Sequence, residues 1–103
     1  MRDVIELKRG NAYFHALFYD FELSIPCIET YIYQGQDEEK GHLFVNASGY
    51  VEKMEGKEEP DIHFISFAPG TEMCILDKER LIRWLQEDQD PSKAGTFYDY
   101  KAI

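Results

Sequence analysis

Three histidines and two cysteines are the side chains of this sequence best suited to chemistry: His15, His42, His63, Cys27 and Cys74. Each occurs alone. A metal site needs ligands at short fixed separations, as in C-x2-C, H-E-x-x-H or a calcium loop, and none of these spacings occurs. His15 and His63 each sit in an otherwise apolar stretch, which suits a hydrogen-bonded core or interface imidazole better than a ligand. Nucleophilic catalysis needs a base beside the nucleophile and a third group to orient that base. Cys27 or Cys74 with His15 or His63 supplies the parts. However, there is no G-x-S-x-G, and neither cysteine lies in a protease signature. Large apolar neighbours (Ile25 and Ile28; Met73 and Ile75) mark both thiols as packing groups. The seven glycines are scattered, so neither phosphate-loop pattern exists, and no cofactor is expected.

Charge narrows the field further. Twenty acidic against eleven basic side chains give the 103 residues a net charge of −9, which opposes binding to nucleic acid or to an anionic membrane. Aromatic stacking on single-stranded nucleic acid also needs a basic groove, and the neighbours of the aromatic stretches are acidic or neutral. An acidic surface imitating a nucleic-acid backbone is allowed, but ordinary solubility accounts for nearly the same charge, since small domains carry about 2–8 charges. A carboxylate pair for glycosidic chemistry could be drawn from the twenty acids, but most of them stand in solvated runs. No apolar run reaches the roughly 20 residues of a membrane helix. The first six residues, Met1-Arg2-Asp3-Val4-Ile5-Glu6, do not read as a secretory signal, so a cytoplasmic protein with free thiols is expected.

Aromatic residues make up 15% of the chain. Tyr, Trp and Phe anchor protein interfaces, but a domain this small also needs large side chains simply to bury enough area. Both readings stand at this level.

The elements that must position these residues read as one α+β domain spanning residues 1–103. An antiparallel sheet of about five to six short strands is expected, with one clear C-terminal helix over about 78–89. Val4 to Lys8 is a strand, and Arg9-Gly10-Asn11 supplies a hairpin turn into Ala12–Phe21. In that stretch Phe14, Ala16 and Phe18 face one way; Tyr13, His15, Leu17, Tyr19 and Phe21 face the other. Apolar groups on both faces imply a strand covered on two sides, or one face kept for a partner. Cys27 to Tyr33 and His42 to Val45 follow as strands. Between and beyond them lie two acidic, glycine-containing stretches, 35–41 and 55–61, read as exposed loops. For residues about 47–55 a hairpin competes with a short helix capped by Asn46, and the helical spacing of Ala47, Tyr50, Val51 and Met54 is the better match. Asp61 to Ala68 is a strand, Pro69-Gly70 a turn, and Glu72 to Leu76 pairs back. Asp77 caps the later helix, with Leu76 and Leu81 as its hydrophobic staple and Asp90-Pro91 as its stop. The core expected from these patterns is Phe14, Ala16, Phe18, Ile28, Ile32, Phe44, Phe64, Leu81, Ile82 and Leu85.

Two functions of different class follow. The first is a small acidic protein-binding domain without catalysis, of inhibitor, immunity or adaptor type, whose acids steer a basic protein. Its contact surface is expected at Tyr31, Tyr33, Asp37, Glu38 and Glu39, where two tyrosines on one face run into the acidic loop. The alternative is a small-ligand-binding protein or minor enzyme with an aromatic pocket of Tyr13, His15, Tyr19 and Cys27, His15 being the acid–base group. The tail 96–103 is rich in β-formers and is expected to cover a sheet edge, in its own chain or across a homodimer.

Overall fold

Strand alternation builds two sheets. In a computed structural model of the chain, which describes residues 4–22, 24–68, 74–87 and 98–103, the elements run β1 (Val4–Leu7), β2 (Ala12–Phe18), β3 (Pro26–Asp37), β4 (Gly41–Asn46), α1 (Ala47–Met54), β5 (Phe64–Phe67), α2 (Lys78–Gln86) and β6 (Asp99–Ala102). Strands β2-β3-β4-β5 form an antiparallel meander, while β1 and β6 pair in parallel as a separate two-stranded sheet. The mixed α+β class is thus as expected, but the single antiparallel sheet is corrected to four strands plus two.

The first hairpin is also corrected. Arg9-Gly10-Asn11 does turn, with Gly10 at φ 88° and Asn11 N–H donating to the Lys8 carbonyl (3.1 Å). The chain leaving that turn pairs with β3 instead of folding back on β1. Gly10 N–H donates to the Tyr33 carbonyl, and β2 runs antiparallel to β3 from Ala12 opposite Ile32 to Phe18 opposite Pro26. Pro26 takes the first strand position, where its missing N–H matters least. The C-terminal strand takes β1 as its partner instead. The tail therefore covers an edge within its own chain over Asp99–Ala102; Thr96 and Phe97 lie outside the described residues.

Strand β3 continues to Asp37, so half of the expected acidic loop is sheet. Its register shifts between Tyr33 and Gly35, a bulge that re-aims the strand. Asp37 then closes the turn by accepting from the N–H groups of Glu39 (2.8 Å) and Lys40 (2.9 Å). Gly41 is required where β4 begins. Its φ is +77°, and a Cβ there would lie 1.9 Å from the Phe67 carbonyl oxygen.

Helix α1 forms where the apolar spacing predicts one, and Gly56 (φ 83°) ends it, donating to the Lys53 carbonyl. Its packing differs from the expectation. Val51 and Met54 face outward, and the buried contact is Gly49, whose bare Cα lets the Asp61 carbonyl approach. Asn46 occupies the cap position without capping; its side chain reaches across to Asp61 and His63 instead.

Helix α2 does not close the chain, because β6 follows it, and it ends at Gln86 instead of near residue 89. Asp77 caps it by accepting from Arg80 N–H (2.9 Å). The buried stripe is Leu81 and Trp84; Ile82 and Leu85, expected in the core, stand exposed. Leu76 does not pair with β5. It bridges the outer edge of β2 at Phe14, with both backbone bonds at 2.7–2.8 Å. Glu72, Met73, the Pro69-Gly70 turn and the Asp90-Pro91 stop lie outside the described residues.

The core accordingly lies on both faces of the meander. On one face Tyr13, Tyr31, Tyr33 and Phe44 pack under Ile5 and Leu7 of β1, with Ile75. On the other, Ala16, Phe14, Phe18 and Ile28 meet Leu76, Leu81 and Trp84. Strand β2 is therefore covered on two sides, as its alternation implies. Phe64, an expected core residue, is 72% exposed at the start of the edge strand.

Candidate functional site

The surface predicted from two tyrosines and an acidic loop does not assemble. Tyr31 and Tyr33 share a face, but they are only 8% and 1% exposed, and Tyr33 spends its hydroxyl on His42 Nδ1 (2.9 Å). Both rings are therefore mostly buried. Asp37, Glu38 and Glu39 are exposed at the far turn, without an aromatic companion.

The predicted pocket is divided as well. Tyr13 is a core residue whose hydroxyl accepts from Lys8 N–H (2.8 Å) and donates to the Glu6 carbonyl (2.9 Å). His15 is half-buried, with Nε2 3.6 Å from Cys74 Sγ. Burial pushes the Cys74 thiol up and the His15 imidazole down, with Glu29 only partly opposing the shift at His15. The pair is held neutral, the opposite of the thiolate–imidazolium state that activates a nucleophile. Tyr19 and Cys27 are neighbours near the end of the hairpin. No group of three or more potential metal ligands occurs among the described residues. No helix among them is long and apolar enough to cross a membrane.

What the sequence reading overlooks is the tip of the β2–β3 hairpin. Tyr19 is 75% exposed, Phe21 fully exposed and Ile25 54% exposed. The turn beneath them is fixed from inside. The Asp20 carboxylate accepts from Ser24 N–H (2.9 Å), Ile25 N–H (2.9 Å) and the Ser24 hydroxyl, while Tyr19 N–H donates to the Ile25 carbonyl (2.9 Å). These donors, the Ser24 hydroxyl first, hold the Asp20 carboxyl below the usual carboxylate range. A short side chain accepting from backbone four and five residues ahead orders the turn locally. Strand alternation extends through Tyr19, but the sequence alone does not show that β2 ends at Phe18. The available signal was Asp20 with Ser24 beside a proline-led strand.

Next to the tip, on the same sheet face, lies a cleft of about 480 Å³ lined by Glu29, Tyr31, Asn46, Ser48, His63 and Ile65, with Thr30 and Ala47. His15 stands opposite Glu29 and Leu17 opposite Cys27, so the row Cys27, Glu29, Tyr31 runs from beside Tyr19 into the cleft. Two residues of strand place Glu29 about 7 Å from Cys27. The Tyr31 hydroxyl donates to Glu29, and burial followed by that bond pushes its pKa well up, so it stays a phenol. A second cleft, about 540 Å³, lies between β1, β2 and the start of α2. His15, Tyr19 and Cys27 line neither cleft.

Comparison with family models, with curated proteins and with solved structures finds no match to this chain.

Proposed function

We propose that the chain is a protein-binding domain acting without catalysis, of inhibitor, immunity or adaptor type, and that it presents the β2–β3 hairpin tip to a basic partner. One observation carries this reading: Tyr19, Phe21 and Ile25 are each exposed, around a turn whose Ser24 and Ile25 N–H groups donate to the Asp20 carboxylate. Isolated exposed apolar residues are common, but three within seven positions concentrate apolar surface at one end of the hairpin. Aromatic anchors on a rigid loop bind at low entropic cost, because little is left to order on association. Glu22 and Glu29 at its edge, with a net charge of −9, favour a partner of positive sign and speed its encounter.

The test compares proteins retained from lysate by the native chain and by the double variant Tyr19→Ser, Phe21→Ser, with circular dichroism confirming the fold of both. A protein retained by the native chain, released by salt and lost with the variant supports the reading. Equal retention by the two chains overturns it.

A further inference from the structure

We infer that the cleft beside the hairpin tip receives an arginine side chain of the partner, with Glu29 as its counter-ion. The inference rests on the protein-binding reading for the source of that side chain and goes beyond it in naming what is recognised.

The chemistry of the lining selects the charge. Among the eight lining residues Glu29 is the one carboxylate, and it is exposed at the mouth. The Tyr31 hydroxyl orients the carboxylate, and it remains a donor because burial and Glu29 both oppose its ionisation. Helix α1 opens at this cleft, and its positive end works against a cation. A helix end carries only about half a charge, however. Beside that end the Asp61 carbonyl accepts from Asn46 Nδ2 (2.8 Å), and the Asp61 carboxylate stands 3.0 Å from His63 Nε2. The imidazole facing the cleft therefore has its own carboxylate partner.

The shape selects the cation. Ala47 and Ile65 give apolar wall against which a methylene stem can lie, while the Glu29 carboxylate and the Ser48 hydroxyl offer acceptors toward the head. Ser48 Oγ already accepts from Asn46 Nδ2 (3.1 Å), which fixes it and leaves a lone pair and its own proton. A planar guanidinium with five donors matches spread acceptors better than a compact ammonium. The cleft volume exceeds one side chain, so part of the neighbouring peptide fits with it. Because Tyr19 stands beside Cys27, in the row that leads to Glu29, a partner seated on Tyr19 brings its own residues over the cleft.

The experiment titrates the full chain with N-acetyl-arginine methylamide, and separately with the neutral citrulline analogue, following backbone amides by NMR. The expected result is saturable shifts at residues 29–31, 46–48 and 63–65 with the arginine probe, at least about tenfold weaker with citrulline, and lost in Glu29→Gln. Gln preserves an acceptor for Tyr31, so that variant keeps the fold. Equal response to citrulline, persistence in Glu29→Gln, shifts confined to the acidic turns 37–39 and 55–61, or no saturable shift at tens of millimolar each overturn the assignment. Partner retention through the tip is read in its own assay. An empty cleft with a tip-dependent partner sinks only this inference, whereas an arginine-responsive cleft without such a partner sinks only the protein-binding reading.

Discussion

Tyr13 and Tyr19 sit on the same face of one strand line, six residues apart, and meet opposite fates. Tyr13 is buried under β1, edge-on to Tyr33 and Phe44 with ring centroids 6.2 Å away, and both roles of its hydroxyl are used by the backbone of residues 6 and 8. Tyr19 lies beyond the last residue of β2 and is largely exposed. Residue type does not separate core from contact surface here. The reach of the covering sheet does: β1 and β6 extend over Tyr13, Tyr33 and Phe44 and stop before the hairpin tip. An aromatic left outside that layer, on a turn ordered by its own hydrogen bonds, is free to serve another molecule.

The largest expected effect contrasts Phe44 with Phe21. Phe44 is fully buried, with Phe67 edge-on at 5.8 Å, so Phe44→Ala leaves a cavity and should lower stability by about 3–5 kcal/mol. Phe21→Ala removes a ring with no packing and should change stability by less than about 0.5 kcal/mol. Urea titrations of the two variants give the numbers. A Phe21→Ala loss near that of Phe44→Ala would mean the tip is core and would break the comparison.

The matched tyrosines sharpen it. Tyr13→Phe strips a donor from the Glu6 carbonyl and an acceptor from Lys8 N–H, and should cost about 1–3 kcal/mol. Tyr19→Phe should be near neutral. Thermal melts of both, at equal concentration, decide the point; equal shifts would say that the Tyr19 hydroxyl bears structure as well.

The alternation on β2, the helical spacing from Ala47 to Met54 and the Asp77 cap were legible because each is a local rule read from neighbouring residues. What escaped the sequence is non-local. The parallel pairing of Val4–Leu7 with Asp99–Ala102 joins residues about ninety-five positions apart, and no spacing announces it. Tyr13, Tyr31 and Tyr33 share one core cluster with Ile5 and Leu7 of β1, so the tyrosines expected on a surface at 31 and 33 are mostly buried. The rotation of α2, which buries Trp84 and exposes Ile82 and Leu85, is likewise set by its docking on Ala16 and Phe18. Of the expected sites, the acids at 37–39 are exposed, but the contact residues now proposed, Phe21 and Ile25, were hidden by not knowing where β2 ends.

Acid should act on the covered region before the tip. Burial holds His42, bonded to Tyr33, and His15 below the ordinary histidine value of 6.5. In the unfolded chain both take a proton near that value, while in the folded chain they resist it, so the unfolded state binds more protons as pH falls. Stability is therefore full above about pH 6.5 and declines as pH drops through it. His42→Asn should flatten part of this decline in denaturation midpoints measured from pH 7.5 to 5. An unchanged slope in the variant would mean that His42 titrates alike in both states.

The smallest expected effect on stability tests the tip itself. Asp20 is only partly exposed but lies outside both core clusters, so Asp20→Ala should move the melting temperature little, yet it deletes the acceptor of Ser24 N–H and Ile25 N–H. Amide exchange at residues 24 and 25 should accelerate severalfold in the variant while exchange at Phe44 and Tyr33 stays unchanged. The native chain should show the same selective loosening in acid. Its Asp20 carboxyl is held low by those donors, so their bonds persist above the unfolded carboxylate pKa and are lost only as pH falls through the depressed value. If exchange at 24 and 25 ignores both the substitution and acid, the turn is ordered by something other than Asp20. The rigidity that makes Phe21 a ready anchor would then need another source.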